Sequence, residues 1–561
     1  MKLTLALLLA TSTAFAAPTR AISAVKPHHD GAHARVEVRA AGVMRPAREA
    51  VGRREEPLSA EEATAKQIEK LLHGPLRYTN TGLFVADART GDPMFAVNAD
   101  DLLNPASNVK MISTATAIDL MGPGFKYATR LLGPEPDASG TIHGNVYLLG
   151  TWDPTLVAAD LDELGAQLAA RGVKALDGDI VVGSDPTRDG LFRAVVPIDI
   201  KAGAPGEPPT ATAPVGFDLV TFKIDAKTAA TVQRPRLTYT AQSIVDPDGH
   251  VRVELAIHGT LGKAGATTYA LAVKERTYDA AHVVRAALRA HQIAVTGDVS
   301  TGELGDFIGA AAARGGLPIE LARHESLALS DIVTRVNKWS INWLADRVIM
   351  TTTALAHREA PSMDRALEAM YAWLARHPHV DKADALLDSG SGLSYRTRIS
   401  ARELVAVFRS AAGFSIDSDA TAGTAWLGSL SIGGTDGTLH RRFRTPEVKG
   451  LIHAKTGTLS TVIALTGVLD FDPQRPLAFS IVTNGDRPLQ KRYVRRTHEQ
   501  LVKLLVQYLA KTAKTPLPAF APPRPTTTTK QPPPVRATTS PADEELDEGP
   551  ELPLDESPLR E

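Results

Sequence analysis

The chain has 561 residues, of which 43% are hydrophobic, and its formal net charge at pH 7 is −1. This length is enough for about two to four domains with buried cores, and a near-neutral charge without a long Lys/Arg run gives no indication of nucleic-acid binding. The sequence contains no cysteine, which excludes disulfide bonds, thiolate metal sites and cysteine nucleophiles.

Residues 1–16 are typical of a secretory signal peptide. Lys2 precedes the apolar run Leu3 to Leu9, and Ala14-Phe15-Ala16 offers a small-x-small cleavage site. The apolar run is too short to span a bilayer, and no later stretch is apolar enough to do so. We therefore expect an exported protein, periplasmic or otherwise extracytoplasmic, with no transmembrane segment. A buried N-terminal strand is the alternative interpretation.

The next segments predict a linker, a helix and a pair of strands. Residues 17–60 are rich in Ala, Arg, His and Pro without a steady period, which predicts a flexible linker. A helical pattern follows over Ala60–Leu72. Thr81–Asn98 then predicts two strands around the turn Asp87–Asp92.

The start of the second predicted helix carries a serine and a lysine three residues apart. Asn104 is a good N-cap, Pro105 suits the first helical position, and apolar residues recur at helical spacing as far as Met121. Ser107 and Lys110 therefore share one face, where a lysine amine can activate a serine hydroxyl as a nucleophile. A capped surface helix with an ordinary lysine is the alternative.

The S-x-x-K spacing alone is weak evidence for a site. A chain of this length contains roughly one or two such matches by chance. A second match, Ser23-Ala24-Val25-Lys26, lies in the predicted linker. We interpret this second match as a coincidence, since no predicted domain surrounds it.

Residues 129–315 differ in character and predict a β-rich insertion. Short β-like runs alternate there with turns rich in Gly, Pro and Asp. The runs are Gly144–Leu149, Gly178–Val182, Arg252–Ile257 and Ala270–Val273. Val283–His291 predicts a short helix, and the Gly/Pro-rich segment Ala202–Pro214 predicts a loop.

Helical patterns return after Pro318 and are followed by strands. The predicted helices are Leu327–Asn337, Asn342–Ala354, Met363–His377, Ala401–Ala411 and Arg495–Tyr508. The predicted strands are Val448–Gly457, Val462–Asp470 and Leu477–Thr483. Residues 513–561 predict a disordered Pro/Thr-rich acidic tail that carries no chemistry, with a wall-spanning tether or a partner-binding tail as alternatives.

Two further motifs follow S-x-x-K in the chain. Ser340-Ile341-Asn342 lies in a break between predicted helices, and Lys455-Thr456-Gly457-Thr458 ends a predicted strand. K-T-G alone is expected by chance roughly once in ten chains of this length. Three motifs in order, each in its helical, inter-helical or strand context, are far harder to attribute to chance.

Together the motifs supply the groups that acyl transfer requires. Ser107 can serve as the nucleophile. Lys110 can serve as its base if burial and a second cation, for which Lys455 is the candidate, lower the pKa of that lysine. The Ser340 hydroxyl can pass a proton, and the Asn342 side chain can hold a substrate amide.

The last motif suits the end of a peptide. Gly457 has no side chain, so a peptide backbone can approach the strand closely. Lys455 and Thr458 suit a carboxylate and would select for a free C-terminus.

This set of motifs resembles that of the penicillin-recognising serine transferases and hydrolases, in which S-x-x-K, S-x-N and K-T-G line one site. The 230 positions from Lys110 to Ser340 point, within that group, to a large insertion. The chain is accordingly similar to the peptidase S13 family of D-alanyl-D-alanine carboxypeptidases and endopeptidases, the class C low-molecular-mass penicillin-binding proteins. Three flanking segments also resemble the family: Gly144–Leu156, Asp388–Ser394 and Gly437–Phe443.

The resemblance implies an α/β fold. A transpeptidase-like catalytic domain, an antiparallel sheet flanked by helices, would comprise residues 61–128 and 316–512, with an accessory insertion over residues 129–315. We expect no cofactor or metal, since the sequence has no H-E-x-x-H motif and its 16 histidines show no paired ligand spacing. The resemblance implies that peptidoglycan stem peptides are the substrate and that β-lactams are covalent inhibitors.

The resemblance assigns roles by motif. Ser107 would be acylated, Lys110 would be its base and Ser340 would relay a proton. The substrate-binding residues would be Asn342, Lys455, Thr456, Gly457 and Thr458. The backbone N–H groups of Ser107 and Thr458 would form the oxyanion hole, and Asn337 and Lys338 would support the site.

Some positions depart from the family pattern. Ile341 stands where aspartate is common, and Thr151-Trp152 stand where glycines are usual. The Gly/Pro-rich segment Lys201–Pro214 stands where the family often has an aromatic-rich stretch. We therefore assign no substrate-specificity residue in the insertion from the resemblance. The alternatives are a β-lactamase or esterase on the same scaffold, or a non-catalytic cell-wall-binding protein, for which the intact Ser107 and Lys110 pair would have no use. The balance of carboxypeptidase and endopeptidase activity stays open.

Overall fold

The computed structural model of the protein describes residues 58–183, 195–213, 220–233, 235–245, 251–272, 276–415, 419–470 and 475–512. The predicted signal peptide, nearly all of the predicted linker and the predicted tail lie outside the described residues. None of the helices in the described part of the chain is long and apolar enough to cross a membrane.

The helices follow the predicted helical patterns closely in the catalytic segments, and α3, α5 and α10 are additional. They are α1 (Ala60–His73), α2 (Val109–Met121), α3 (Ala158–Ala170), α4 (Arg276–Ala290), α5 (Leu304–Ala313), α6 (Leu329–Trp339), α7 (Asn342–His357), α8 (Met363–Arg376), α9 (Ala401–Ala411), α10 (Ala420–Gly428) and α11 (Lys491–Thr512).

The strands form several separate sheets. They are β1 (Asn80–Asp87), β2 (Pro93–Val97), β3 (Ala128–Gly133), β4 (Thr141–His143), β5 (Val146–Leu149), β6 (Ala175–Asp177), β7 (Ile180–Val182), β8 (Val195–Lys201), β9 (Thr210–Thr212), β10 (Val220–Ile224), β11 (Lys227–Thr228), β12 (Arg236–Val245), β13 (Val251–Leu261), β14 (Ala266–Ala272), β15 (Ala294–Val295), β16 (Val299–Thr301), β17 (Ile319–Glu325), β18 (Ala385–Leu386), β19 (Arg398–Ile399), β20 (Ser431–Ile432), β21 (Ile452–Leu459), β22 (Val462–Leu469) and β23 (Leu477–Asn484).

The main sheet has six antiparallel strands in the order β2-β1-β23-β22-β21-β20. Helices cover both of its faces, which is why every residue of β22 is buried and the strand reads as one apolar run. Ile463 packs with α1 and α11 in one core, whereas Ala464 packs with α2 and its neighbours in another. The predicted antiparallel sheet flanked by helices is confirmed.

Helix α2 lies within the layer of helices on one face of this sheet. Its residues from Val109 to Ile118 are all buried, because α6, α7, α8, α9 and α10 pack around it. A helix surrounded on all sides normally carries apolar residues throughout. The presence of Lys110 in this buried run is therefore costly and requires specific partners.

Residues 128–325 contain four further sheets, with the orders β16-β7-β5-β3-β17, β15-β6-β4, β10-β13-β11 with β12 on β13, and β14-β8-β9. Several of their pairs are parallel, such as β5 with β7 and β4 with β6. Parallel neighbours need long crossovers, and α3 lies in one of them. The region is rich in strands, but the prediction omitted α3 and α5, and β9 lies within the predicted loop.

The chain enters and leaves this region through neighbouring strands. β3 pairs antiparallel with β17, with Ala128 opposite Glu325. The two strands through which the chain enters and leaves this region therefore lie side by side at one end of a single sheet. The division into a catalytic domain of residues 61–128 and 316–512 and an insertion of residues 129–315 stays a prediction.

Candidate active site

Ser107 lies on a tight 3-10 turn, Ala106–Asn108, that leads into α2. The helix begins at Val109, so the prediction of a regular helix from Pro105 was wrong. The cause is local: Ala106 has a positive φ of 47°, and the Asn104 side-chain oxygen accepts a hydrogen bond from its N–H at 2.8 Å. The turn brings the serine out of the buried run, since Ser107 is partly exposed.

A pair of asparagines anchors this turn to the sheet. The backbone N–H of Asn104 donates to the Asn484 side-chain oxygen at 2.8 Å, and the Asn484 amide donates back to the Asn104 carbonyl at 3.0 Å. Asn484 ends β23. The position of Ser107 is therefore tied to the central strands rather than to α2 alone.

Lys110 is fully buried, and its amine has three hydrogen-bond acceptors. They are the Ser107 hydroxyl at 3.0 Å, the Asn342 side-chain oxygen at 2.6 Å and the Ser391 carbonyl at 2.7 Å. A lysine ammonium has three protons to donate. These contacts help to account for the burial of this side chain and hold the amine beside the Ser107 hydroxyl.

Lys455 is also fully buried, on β21. Its amine donates to the Ser340 hydroxyl at 2.7 Å and to the Thr456 carbonyl at 2.9 Å. Burial, and secondarily the charge of Lys110, hold the pKa of Lys455 well below its ordinary value. Because the charge of Lys110 contributes to the lowered pKa of Lys455, the two amines lie close enough to interact electrostatically.

The break between α6 and α7 positions Ser340 and Asn342. Ser340 ends α6 in the left-handed region with φ 56°, and α7 begins two residues later at Asn342. This tight connection turns one side chain towards Lys455 and the other towards Lys110. The structure thus brings the S-x-x-K, S-x-N and K-T-G residues together, although the three motifs are far apart in sequence.

The end of β21 presents an open edge beside Ser107. β20 pairs with β21 only at His453 and Ala454, so within the described residues the outer edge from Thr456 to Leu459 has no strand partner. A Cβ on Gly457 would lie only 2.5 Å from the Pro105 carbonyl oxygen. The glycine is therefore required for the close approach of the Ser107 turn, in addition to any approach by a substrate.

The two threonines of this strand point to polar partners. The Thr456 hydroxyl donates to Thr438 at 2.9 Å, and the Thr458 hydroxyl accepts from the Arg495 guanidinium at 3.2 Å. No carboxylate among the described residues forms an ion pair with Arg495. In the part of the chain that the structure describes, this guanidinium thus has no acidic partner and contacts the hydroxyl that the sequence analysis expects to bind a carboxylate.

Residues behind the motifs form a buried polar network. The Asn337 amide donates to Thr114 at 3.2 Å and to Ser429 at 2.8 Å, and the Trp426 indole N–H donates to Thr114 at 2.9 Å. The side chain of Lys338 forms an ion pair with Asp436. Both predicted supporting residues therefore hold neighbouring elements in place and do not contact Ser107.

Sequence reasoning missed three participants: Ser391, Asp346 and Arg495. Ser391 acts through its backbone, which residue type does not reveal, although it lies in the quoted Asp388–Ser394 segment. Asp346 follows Asn342 by four residues and so lies on the same face of α7. That spacing was the available signal. For Arg495 the sequence offers no signal.

Chemically, this arrangement combines a partly exposed hydroxyl, two buried amines and an open strand edge. The amine of Lys110 is within proton-transfer reach of Ser107, and the Ser340 hydroxyl is within reach of Lys455. These are the elements of a lysine-activated serine nucleophile. In the described residues no cluster of His, Asp or Glu could hold a metal ion.

Comparison with known proteins agrees with this geometry. The model of the D-Ala-D-Ala carboxypeptidase 3 (S13) family matches residues 64–188 and 191–508. The D-alanyl-D-alanine carboxypeptidase of Actinomadura sp. (strain R39) is 27% identical over 470 residues, which cover 75% of this chain and 80% of that protein. The D-alanyl-D-alanine carboxypeptidase DacB of Haemophilus influenzae is 23% identical over 435 residues, or 72% of this chain and 86% of that protein.

A solved structure shows the same fold. Penicillin-binding protein 4 (dacB) of Haemophilus influenzae superposes with a TM-score of 0.59 at 20% identity, covering 78% of this chain and 99% of that chain. The same protein has been solved in complex with a β-lactam, with a TM-score of 0.58. The predicted α/β fold is confirmed. Because the family model spans all three motifs and most of the length, this chain belongs to the D-Ala-D-Ala carboxypeptidase 3 (S13) family.

Proposed function

We propose that this chain is a serine-type D-alanyl-D-alanine carboxypeptidase that cleaves peptidoglycan stem peptides through an acyl-enzyme on Ser107. The observation that carries the proposal is the contact of the buried Lys110 amine with the Ser107 hydroxyl at 3.0 Å. A lysine buried at this cost beside a serine has a clear use in nucleophile activation.

In the first step, neutral Lys110 accepts the proton of Ser107 while the serine oxygen attacks the carbonyl of the penultimate D-alanine. The amine is within hydrogen-bond reach of that hydroxyl. Lys110 is fully buried, and burial disfavours the charged form of an amine. Backbone N–H groups of Ser107 and Thr458 are the candidates to stabilise the oxyanion.

In the second step, the terminal D-alanine leaves as an amine and needs a proton. Ser340 can deliver its hydroxyl proton to that nitrogen and recover one from Lys455, whose amine lies 2.7 Å from the hydroxyl. The Asn342 amide can bind the substrate backbone while its oxygen holds Lys110. The proton that Lys110 took from Ser107 then passes to the deprotonated Lys455, which restores both amines. Water attacks the acyl-enzyme with Lys110 again as base, and the proton it gives up returns to Ser107 as the product leaves.

The free C-terminal carboxylate of the substrate is bound at the end of β21. Thr456 and Thr458 offer hydroxyls, and Lys455 and Arg495 offer positive charge. The unpaired outer edge of this strand can take up the extended peptide as an added strand. These contacts support a carboxypeptidase, because they favour substrates that end in a free carboxylate.

Penicillins should acylate the same serine, since their strained amide and carboxylate present similar groups to the site. The β-lactam complex of the Haemophilus influenzae relative supports this expectation. The Ser107 adduct formed with penicillin then serves as a direct label for the site.

We also propose that the protein is exported and acts outside the cytoplasm. The support is the N-terminal pattern of Lys2, an apolar run and Ala14-Phe15-Ala16. Fractionation of cells that produce the full chain tests this. Processed protein is expected in the extracytoplasmic fraction, and unprocessed protein confined to the cytoplasm would refute export.

The function is tested by incubating the mature protein with a labelled penicillin and locating the adduct by mass spectrometry. We expect one adduct, on Ser107, that is lost in Ser107→Ala and retained in the matched control Ser23→Ala. Labelling that survives Ser107→Ala would refute the assignment of the nucleophile. Digestion of pentapeptide muropeptides should then release D-alanine, whereas rapid penicillin turnover without such release would identify a β-lactamase.

A further inference from the structure

Asp346 of α7 occupies a position that none of the motifs includes. It lies one helical turn after Asn342, on the same side of the helix. Its carboxylate is half-buried and accepts a hydrogen bond from the backbone N–H of Ser391 at 2.7 Å. Among the described residues, no basic side chain forms an ion pair with this carboxylate. Its main partner is therefore Ser391, and the backbone N–H of Gly390 contributes a further hydrogen bond.

The peptide groups of Ser391 connect this carboxylate to Lys110. The N–H of Ser391 points to Asp346, while its carbonyl accepts from the Lys110 amine at 2.7 Å. The same amine also donates to Asn342, one turn from Asp346 on α7, at 2.6 Å. A closed ring of contacts thus runs from the lysine through the Ser391 backbone and α7 back to the lysine.

The segment around Ser391 is packed too closely for its position to be adjusted freely. A Cβ on Gly390 would lie 2.7 Å from Ile349 of α7, and a Cβ on Gly392, which has φ +75°, would lie 2.1 Å from the Ala106 carbonyl oxygen. The Ser113 hydroxyl of α2 donates to the Gly390 carbonyl at 2.8 Å. The segment therefore lies between α2 and α7, and the Asp346 bond sets where its carbonyl faces.

From this geometry we propose that Asp346 is a positioning residue for Lys110, acting through the Ser391 backbone to aim the amine at Ser107. The inference rests on the proposed function, since it concerns how the base is held. A carboxylate accepts a stronger hydrogen bond than a neutral group does. Burial raises the pKa of Asp346, while hydrogen bonding to Ser391 and the nearby charge of Lys110 partly lower it. The carboxylate and the Lys110 amine are therefore close enough to interact electrostatically.

Other charged groups around the lysine are paired or lie on a different element. Lys455 approaches from β21, Lys338 is paired with Asp436, and Asp388 is paired with Arg396. Asp346 is thus the carboxylate that faces Lys110 without an ion-pair partner of its own among the described residues. Removing the charge of Asp346 should favour the neutral form of the Lys110 amine. Removing the oxygen that accepts from the Ser391 N–H should allow the Ser391 peptide group, and with it the carbonyl that holds Lys110, to move.

Two substitutions separate these effects. Asp346→Asn keeps an acceptor oxygen for the Ser391 N–H but removes the charge, whereas Asp346→Ala removes both. Asp331→Asn, on the exposed side of α6, is the matched control. The measurement is the second-order rate of Ser107 acylation by a labelled penicillin as a function of pH, together with thermal unfolding of each variant.

We expect Asp346→Ala to slow acylation about 100-fold, as misplacement of a catalytic group does, with the loss in the acylation step and not in initial binding. Asp346→Asn should retain most of the rate, with the acid limb of its pH profile moved to lower pH. Asp331→Asn should match the parent protein. If Asp346→Ala acylates at the parent rate, or Asp346→Asn shows an unshifted acid limb, the inference is overturned.

Folding and function are distinguished by the same data. If Asp346→Ala does not fold, the shifted pH profile of Asp346→Asn decides the question alone. Failure of the parent protein to be labelled by penicillin would contradict the proposed function. Normal labelling of both the parent and Asp346→Ala would contradict only the role of Asp346.

Discussion

The buried amine of Lys455 lies 2.7 Å from the hydroxyl of Ser340, which is 115 positions away in the chain. This contact joins the second and third motifs and places a cation beside the first. Since the pKa of Lys455 is lowered mainly by burial, the lysine also carries an energetic cost that an apolar side chain would not.

Replacement of Lys455 by methionine should therefore separate function from stability. Lys455→Met should slow penicillin acylation by about 100-fold or more, since the amine that donates to Ser340 is lost. At pH 7 it should unfold at the same or a higher temperature, because the cost of burying an ionisable amine has been removed. A variant that keeps the parent acylation rate would contradict the role of Lys455.

The difference in stability between Lys455→Met and the parent protein should decrease as the pH rises. In the parent protein Lys455 binds its proton less readily in the folded state than in the unfolded state, so stability rises with pH up to the ordinary lysine pKa. The stability advantage of Lys455→Met should shrink as pH rises from 7 towards 10. Urea unfolding at several pH values checks this, and an advantage that grows with pH would contradict it.

Substitution of Arg495 should affect substrates that carry a C-terminal carboxylate. Arg495→Gln removes the guanidinium charge that lies beside the Thr458 hydroxyl. Loss of one charged hydrogen bond to the substrate carboxylate should lower kcat/KM about tenfold for peptides ending in D-alanine. Peptides whose terminus is an amide should be affected much less. Arg492→Gln, on the exposed first turn of the same helix, is the control, and equal losses for both peptide types would refute the assignment.

Gly457 should not tolerate a side chain. The added methyl group of Gly457→Ala would meet the Pro105 carbonyl oxygen at 2.5 Å and displace the Ser107 turn. We expect a destabilisation of about 1–3 kcal/mol and a marked loss of acylation. Gly309→Ala, in the exposed interior of α5 with open space around it, should instead stabilise the protein by about 0.5–1 kcal/mol. Chemical denaturation with a penicillin-labelling assay measures both.

His498 should make the fold sensitive to acid. It is buried, and burial lowers its pKa to about 3. The folded state therefore resists a proton that the unfolded state takes up near pH 6.5, so stability is full above pH 6.5 and is lost as pH falls towards 3. The loss from this residue between pH 6.5 and pH 5 should reach about 2 kcal/mol.

The variant His498→Gln checks this expectation. It should flatten the dependence of unfolding free energy on pH over that range, while His357→Gln, at an exposed position, should not. Equal pH dependence in the parent protein and His498→Gln would show that the histidine is not responsible.

Most elements of the catalytic region were predictable because their patterns are local. α7, α8 and α9 follow apolar residues at helical spacing, and β22 and β23 read as apolar runs of strand length. The helices α3 and α5 were missed because they lie among short strands, where Gly- and Pro-rich turns dominate the pattern. The start of α2 was misjudged because nothing in the residue pattern reveals the positive φ of Ala106 in the turn that the Asn104 side chain closes.

The chain by itself determined which chemical groups are present and in what order: Ser107 and Lys110, then Ser340 and Asn342, then Lys455 with Thr458. Short motifs and helical spacing are local properties, so one sequence suffices to recognise them. The tertiary structure decided what these groups contact. Burial of Lys110, its third acceptor on the Ser391 backbone, and the placement of Asp346 and Arg495 depend on packing between distant segments, and that packing sets the electrostatics of the site.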